Sequence, residues 1–224
     1  MFKQLRRDIQ VVFERDPAAR TVIEVLLNYP GLHAIWIHRL THQMYLLGFR
    51  TLARLLSQIA RFFTQVEIHP GATIGEGLFI DHGCGIVIGE TAIVGDDVTL
   101  FQGVTLGGTG KEKGKRHPTL DDGVMVSSGA RVLGNIHIGE NVKIGAGSVV
   151  LQDVPANSTV VGIPGRVVKQ DGNRVPTDKH HVDLEHNRLP DPVCECLKDL
   201  RARLDAVQVR LEEMEEKANE HQDL

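Results

Sequence analysis

The chain has 224 residues, and 25 Lys+Arg against 29 Asp+Glu leave a formal charge of -4. That mildly acidic balance argues against a dedicated nucleic-acid binder, and no apolar run reaches the roughly 18 residues that a membrane span needs. With 23 Gly but only 7 Phe, 2 Tyr and 1 Trp, the core must be filled by something other than rings.

Residues 1–65 read as helices. Leu5, Ile9, Val12 and Phe13 follow a helical period, and MFKQLRRDIQ lacks the apolar stretch of a secretory signal. Asp16-Pro17 predicts a helix start, with Asp as N-cap and Pro at the first helical position. The Tyr29-Pro30-Gly31 break opens a second run through Ile35, Ile37, Leu40 and Met44. A last helix carries Leu52, Leu55, Leu56, Ile59 and Phe63.

From Ile68 the pattern changes. Aliphatic residues recur every six positions at Ile68, Ile74, Ile80 and Ile86, slip by eight to Val94, and continue at Leu100 and Leu106. After an insertion they resume at Leu120, Val126, Val132, Ile138, Ile144 and Val150. A period of six fits neither a helix face nor a single strand. It is the period of a hexapeptide parallel β-helix, in which three short strands form one coil and equivalent residues stack. The repeats fill residues 66–169, about four coils, and a bore packed with one aliphatic per corner leaves little room for rings. The helical region at 1–65 then caps the solenoid's open end.

Residues 170–192 are polar and broken by Pro, which predicts a linker. Over 193–224, Val193, Leu197, Leu200, Leu204, Val207, Leu211 and Met214 alternate by four and three, an a/d seam. Such an amphipathic helix suits packing on its own solenoid or self-association. Cys84, Cys194 and Cys196 match no metal spacing or disulfide framework, which suits a reducing, cytoplasmic compartment.

A prism has flat walls, so chemistry needs a loop or a neighbouring subunit. The large insertion falls between Leu106 and Leu120, where GGTGKEKGKRHPT offers a glycine-rich start and a basic half able to meet an anion. Of eleven histidines, His38 and His42 share a helix face without the glutamate of a zinc-protease motif. His82 lies between glycines in IDHGCG. Strand alternation turns Asp81 away from it, whereas Glu67 plus an 18-residue coil falls at residue 85, so the Glu67 carboxylate can reach the His82 imidazole. A histidine held by a carboxylate is suited to deprotonating a hydroxyl.

VEIHPGATIGEGLFIDHGCGIVIGET, TLGGTGKEKGKRHPTL and GVMVSSGARVLGNIHIGENVKIGAGSVVLQDVP together closely resemble the serine O-acetyltransferases over roughly residues 14–170. The resemblance implies a left-handed parallel β-helix with an N-terminal helical domain. It also implies transfer of acetyl from acetyl-CoA to the L-serine hydroxyl, giving O-acetylserine for cysteine synthesis, with L-cysteine as an inhibitor. In the family's pattern His82 is the general base, Glu67 (where longer members have Asp) its carboxylate partner, and His117 a second imidazole of the site. Arg116 is implied to grip the serine carboxylate, and Asp16 and Asp81 to receive its amino group. Gly108, Thr109, Ser128, Lys143 and Ala146 align with acetyl-CoA contacts. No metal is implied.

The short helical region favours a homotrimer with sites between subunits over the hexamer of longer members. Leu224 is a candidate imitation of the aliphatic tail by which many members bind cysteine synthase. Three rival readings are an acetyltransferase for homoserine or a sugar, a zinc hydratase using His69, His82 and His117, and a scaffold built around the heptad helix. Asp16, Asp81 and Arg116 argue against a sugar, which offers neither ammonium nor carboxylate.

Overall fold

A computed structural model describes residues 2–110 and 113–175 of the chain. The heptad segment, Leu224, Cys194, Cys196 and the expected linker beyond Val175 lie outside the described residues.

Four helices come first: α1 (Phe2–Arg15), α2 (Val22–Asn28), α3 (Pro30–Leu46) and α4 (Arg50–Thr64). The helix start expected at Asp16 is not used. The N-cap of α2 is Thr21, whose hydroxyl accepts from the Glu24 N–H at 3.2 Å. Asp16 instead closes a turn by accepting from the Ala18 N–H at 2.8 Å, the local bond that draws Asp out of helices. α3 does open with Pro at its first turn.

From Val66 the chain winds in coils of three strands. The first is β1 (Val66–Ile68), β2 (Thr73–Ile74) and β3 (Phe79–Ile80); the second β4 (Ile86–Ile88), β5 (Ile93–Val94) and β6 (Thr99–Leu100). The third is β7 (Thr105–Gly107), β8 (Thr119–Leu120) and β9 (Met125–Val126); the fourth β10 (Arg131–Leu133), β11 (His137–Ile138) and β12 (Lys143–Ile144). A fifth holds β13 (Val149–Val150) and β14 (Ser158–Val161), with a single bridge from Val154 to Ile138 between them. Like strands stack in parallel into three walls: β1-β4-β7-β10-β13, β2-β5-β8-β11, and β3-β6-β9-β12-β14.

Residues 170–174, expected to open the linker, are part of the described fold. An antiparallel hairpin of β15 (Arg166–Gln170) and β16 (Asn173–Arg174) closes the third wall, and the described chain forms one compact unit through Val175.

The register explains the slip in the repeat. Ile68 pairs with Ile88, Ile74 with Val94 and Ile80 with Leu100, so the first coil takes 20 residues. Ile88 to Leu106 takes the regular 18. The slot assigned to Ile86 belongs to Ile88, while Ile86 pairs with Val66. The two extra residues therefore lie in the turn that carries His82. The remaining columns continue as expected, Leu106 to Val132 to Val150 and Leu100 to Val126 to Ile144 to Val160.

Ile, Leu, Val and Ala make up the buried bore. Phe79 is buried on the other side of its wall, against Val11, Val12, Val25 and Leu32 of the helices. α3 closes the end of the prism so tightly that a Cβ at Gly31 would lie 2.6 Å from the Ile80 carbonyl oxygen.

The fully buried Asp8 carboxylate accepts from Arg39 Nε at 3.0 Å and Nη2 at 2.8 Å, and Nη2 also reaches the Gly75 carbonyl at 3.1 Å. These contacts join α1, α3 and the first coil. Asp8→Ala strands the Arg39 cation and is expected to lower stability by roughly 3–5 kcal/mol, measured by urea unfolding. A loss below about 1 kcal/mol would reduce the pair to the value of a surface bridge.

Candidate active site

The residues singled out in the sequence gather at two different edges of the prism. The first lies between the third and first walls, where the two-residue insertion forms the turn Asp81-His82-Gly83-Cys84-Gly85. His82 has φ 59, Gly83 φ 68 and Gly85 φ 75. The turn is closed by bonds from the Gly83 N–H to the Asp81 carbonyl and from the Gly85 N–H to the Gln65 carbonyl. Histidine is one of the few side chains that tolerates left-handed backbone, and here that backbone lifts the imidazole off the wall. Its side chain is 73% exposed, with Asp81 Oδ1 at 3.7 Å from Nε2.

This differs from the sequence expectation for a specific reason. Alternation would separate Asp81 from His82 only on a strand, and His82 is not on one. With a 20-residue first coil, Glu67 pairs with Val87. Its carboxylate meets Arg61 Nε at 3.3 Å and Arg54 Nη2 at 3.6 Å, not His82. Asp16 stands at the same edge, close enough for the His82 charge to act on it. Tyr29 donates to Asp16 Oδ2 at 2.6 Å. That bond, the Ala18 N–H and His82 together hold the Asp16 carboxyl below its ordinary pKa. Burial and the Asp16 bond push the Tyr29 hydroxyl up to about 12. The edge thus presents carboxylates around an exposed imidazole.

The second edge lies between the first and second walls and joins Gly89-Glu90-Thr91 to Arg116-His117. Arg116 Nη2 donates to Glu90 Oε2 at 2.6 Å, and Tyr45 donates to Glu90 Oε1 at 3.1 Å. Both bonds lower the Glu90 pKa, the Arg116 contribution being the larger. His117 is buried, and its pKa is lowered by desolvation and then by the Arg116 charge. A Cβ at Gly89 would fall inside van der Waals contact with His117 Cδ2 and Nε2, and one at Gly108 would lie 3.1 Å from Nε2. The ring therefore needs glycine at position 89 and packs tightly against Gly108.

Lys115, one of the basic residues of the insertion expected to meet an anion, is committed elsewhere. Its ammonium donates to the Thr91 carbonyl at 2.7 Å and the Pro118 carbonyl at 3.2 Å, which ties the loop down. A cleft of about 300 Å³ opens beside it, lined by Tyr45, Glu90, Thr91 and Lys115.

The residues aligned with acetyl-CoA contacts divide between the same edges. Gly108 and Thr109 start the insertion at the second edge. Ser128 and Ala146 lie on the His82 edge, in a column tied by bonds from Gly103 N–H to the Cys84 carbonyl, Gly129 N–H to Gln102 and Gly147 N–H to Ser128. Lys143 is exposed on the third wall nearby. His82 thus lies on a different edge from His69 and His117. Among the described residues no group of three or more His, Cys, Asp or Glu is gathered to hold a metal ion. Likewise among the described residues, no helix is long and apolar enough to cross a membrane.

Tyr29 and Tyr45 were not found by motif, and Glu90 and Thr91 were given no role although they end the IVIGET stretch quoted above. For Thr91 the signal was present: the insertion lengthens its coil to 26 residues, since Ile93 pairs with Thr119, and 26 residues beyond Thr91 is His117.

Comparison with known proteins agrees with this arrangement. The family model for "Serine acetyltransferase, N-terminal" matches residues 1–36, and that for "Bacterial transferase hexapeptide (six repeats)" matches 117–152. A serine acetyltransferase of Bacillus subtilis (strain 168) is 58% identical over 219 residues, 98% of this chain and 99% of its own length. One from Staphylococcus xylosus is 58% identical over 208 residues, covering 92% and 94%. The chain belongs to the serine acetyltransferase family. Its fold agrees with solved members. The Neisseria gonorrhoeae serine acetyltransferase in complex with serine superposes with a TM-score of 0.73 at 48% identity, over 75% of this chain and 69% of that one. A serine acetyltransferase in complex with cysteine gives 0.73 at 47%, over the same shares. The parallel β-helix of hexapeptide repeats and the N-terminal helices described above are those of the family, and its motifs fall in the DHGCG turn and the KRHP segment.

Proposed function

We propose that the chain transfers acetyl from acetyl-CoA to the hydroxyl of L-serine, releasing O-acetylserine and CoA in the cytoplasm as the first committed step of cysteine synthesis. The observation that carries this reading is the pair of opposite poles. Carboxylates Asp16 and Asp81 surround His82 at one edge, and Arg116 and His117 offer donors at the other. An α-amino acid supplies an ammonium for the first and a carboxylate for the second. A sugar supplies neither.

His82 takes the hydroxyl proton as the serine oxygen attacks the thioester carbonyl. The tetrahedral adduct then expels the CoA thiolate, which recovers that proton. A general base of this kind contributes about 10²–10⁴-fold. Arg116 engages the serine carboxylate, with fork geometry suited to it. Gly108, Thr109, Ser128, Lys143 and Ala146 line the path of acetyl-CoA. Because the poles sit on different edges, a homotrimer completes each site by setting the His82 edge of one copy against the Arg116 edge of the next. L-cysteine carries the same ammonium and carboxylate and competes with serine.

CoA release measured with L-serine, L-homoserine and a galactoside side by side tests the reading. Serine is expected to exceed the galactoside by at least about 100-fold in kcat/KM, since a sugar leaves Asp16, Asp81 and Arg116 unpaired, and to exceed homoserine by about 10–200-fold, the usual effect of one extra methylene. Equal rates, or preference for either alternative acceptor, would overturn it.

A further inference from the structure

The hydrogen bonds around His117 determine which of its nitrogens carries the proton. Nδ1 faces the Thr91 backbone N–H at 3.2 Å and the Thr91 hydroxyl at 2.9 Å. A backbone N–H can only donate, so Nδ1 is an unprotonated acceptor. The hydroxyl oxygen accepts from the Arg116 N–H at 3.0 Å and the His117 N–H at 3.2 Å. With two bonds accepted, its own proton goes to Nδ1. The Thr91 hydroxyl and backbone N–H are both spent on these two residues, and the neutral ring is left with its hydrogen on Nε2.

We infer that Thr91 is a positioning residue that locks His117 in the Nε2–H tautomer, making it a hydrogen-bond donor to the substrate and excluding it as a base. Nδ1 is occupied by two donors and Nε2 already carries a proton, so neither nitrogen can accept the serine hydroxyl proton. Burial and the neighbouring Arg116 cation also oppose a second proton on the ring. The Nε2 edge lies over Gly89 and beside Gly108, and the point that a Gly108 Cβ would occupy is 3.1 Å from Nε2 and 3.2 Å from Arg116 Cγ. A carboxylate gripped by Arg116 therefore finds Nε2–H as a second donor. The catalytic part foreseen for His117 narrows to binding, which leaves proton abstraction to His82.

This rests on the proposed serine acetylation for its kinetic readout, but not for its spectroscopic one. Full-length protein labelled with ¹⁵N at histidine is observed in long-range ¹H–¹⁵N correlation spectra, with the His117 signals assigned by their loss in His117→Asn. Wild type is expected to show a single Nε2–H pattern. Thr91→Val keeps the shape and removes the hydroxyl; it is expected to give mixed tautomers and to raise the serine KM about tenfold with the acetyl-CoA KM within twofold. Thr91→Ser restores both.

A proton on Nδ1 in wild type overturns the inference. So does a single Nε2–H pattern persisting in Thr91→Val, or a changed tautomer with unchanged serine KM. If Thr91→Val does not fold, wild type and Thr91→Ser decide: a single Nε2–H pattern in both upholds the lock, and any other pattern in either overturns it. Protein that shows the Nε2–H pattern yet does not acetylate serine would refute the proposed function and leave the tautomer assignment standing.

Discussion

Replacing His82 by Asn is expected to lower kcat by about 10²–10⁴-fold, the usual contribution of a general base, with acetyl-CoA affinity within twofold of wild type. Asparagine is the informative substitution because His82 sits at φ 59, where Asn is among the few residues tolerated. It keeps the turn and removes the basic nitrogen. Alanine would add backbone strain of roughly 1 kcal/mol and blur the reading. A rate within threefold of wild type for His82→Asn would remove His82 from the base role. Two companion variants identify its orienting carboxylate. Asp81 is the acid beside Nε2 at 3.7 Å, whereas Glu67, the partner in the family's pattern, is engaged by Arg54 and Arg61. Asp81→Asn is expected to cost more in kcat than Glu67→Gln. The reverse order would return the role to Glu67.

The prism was legible because its physics is local and repetitive. One aliphatic per six residues fills a bore too narrow for rings, and the same rule applied coil after coil from Ile68 to Val150. Where the rule broke, the sequence showed that two residues had been added without showing where. Both Ile86 and Ile88 are aliphatic and buried, so the period alone placed the slip six residues late. That displacement determined the partner assigned to His82, since a 20-residue coil faces Glu67 with Val87 and an 18-residue coil brings residue 85 beside it. Asp16 was misread for a related reason. A carboxylate before Pro17 satisfies the N-cap pattern, and only the fold shows that its oxygens go to Ala18 and Tyr29. Glu90 and Thr91 end a stretch that marks the family without revealing what their side chains touch. Their roles come from stacking against a loop whose length had to be counted first.

Gly89→Ala is expected to lower kcat/KM for serine about 100-fold, the cost of displacing a positioned group by about 1 Å, while the chain stays folded. The backbone of Gly89 is not in the left-handed region, so alanine meets no conformational strain there. The whole effect is steric and falls on His117, whose Cδ2 and Nε2 occupy the space a Cβ would take. The ring has no easy retreat. Moving it breaks the bonds from the Thr91 hydroxyl and N–H to Nδ1 and pulls on Arg116, whose guanidinium is anchored to Glu90 at 2.6 Å. Displacing the buried ring should lower stability by about 1–3 kcal/mol, the usual range for overpacking a filled site, which leaves the chain folded. The double variant isolates the cause. In a His117→Ala background the clash has no target, and Gly89→Ala should then cost less than about twofold, a large departure from additivity. An equal loss with and without the imidazole would mean that Gly89 acts through something other than His117, and the account of this edge as a glycine-lined seat for a donor histidine would fail.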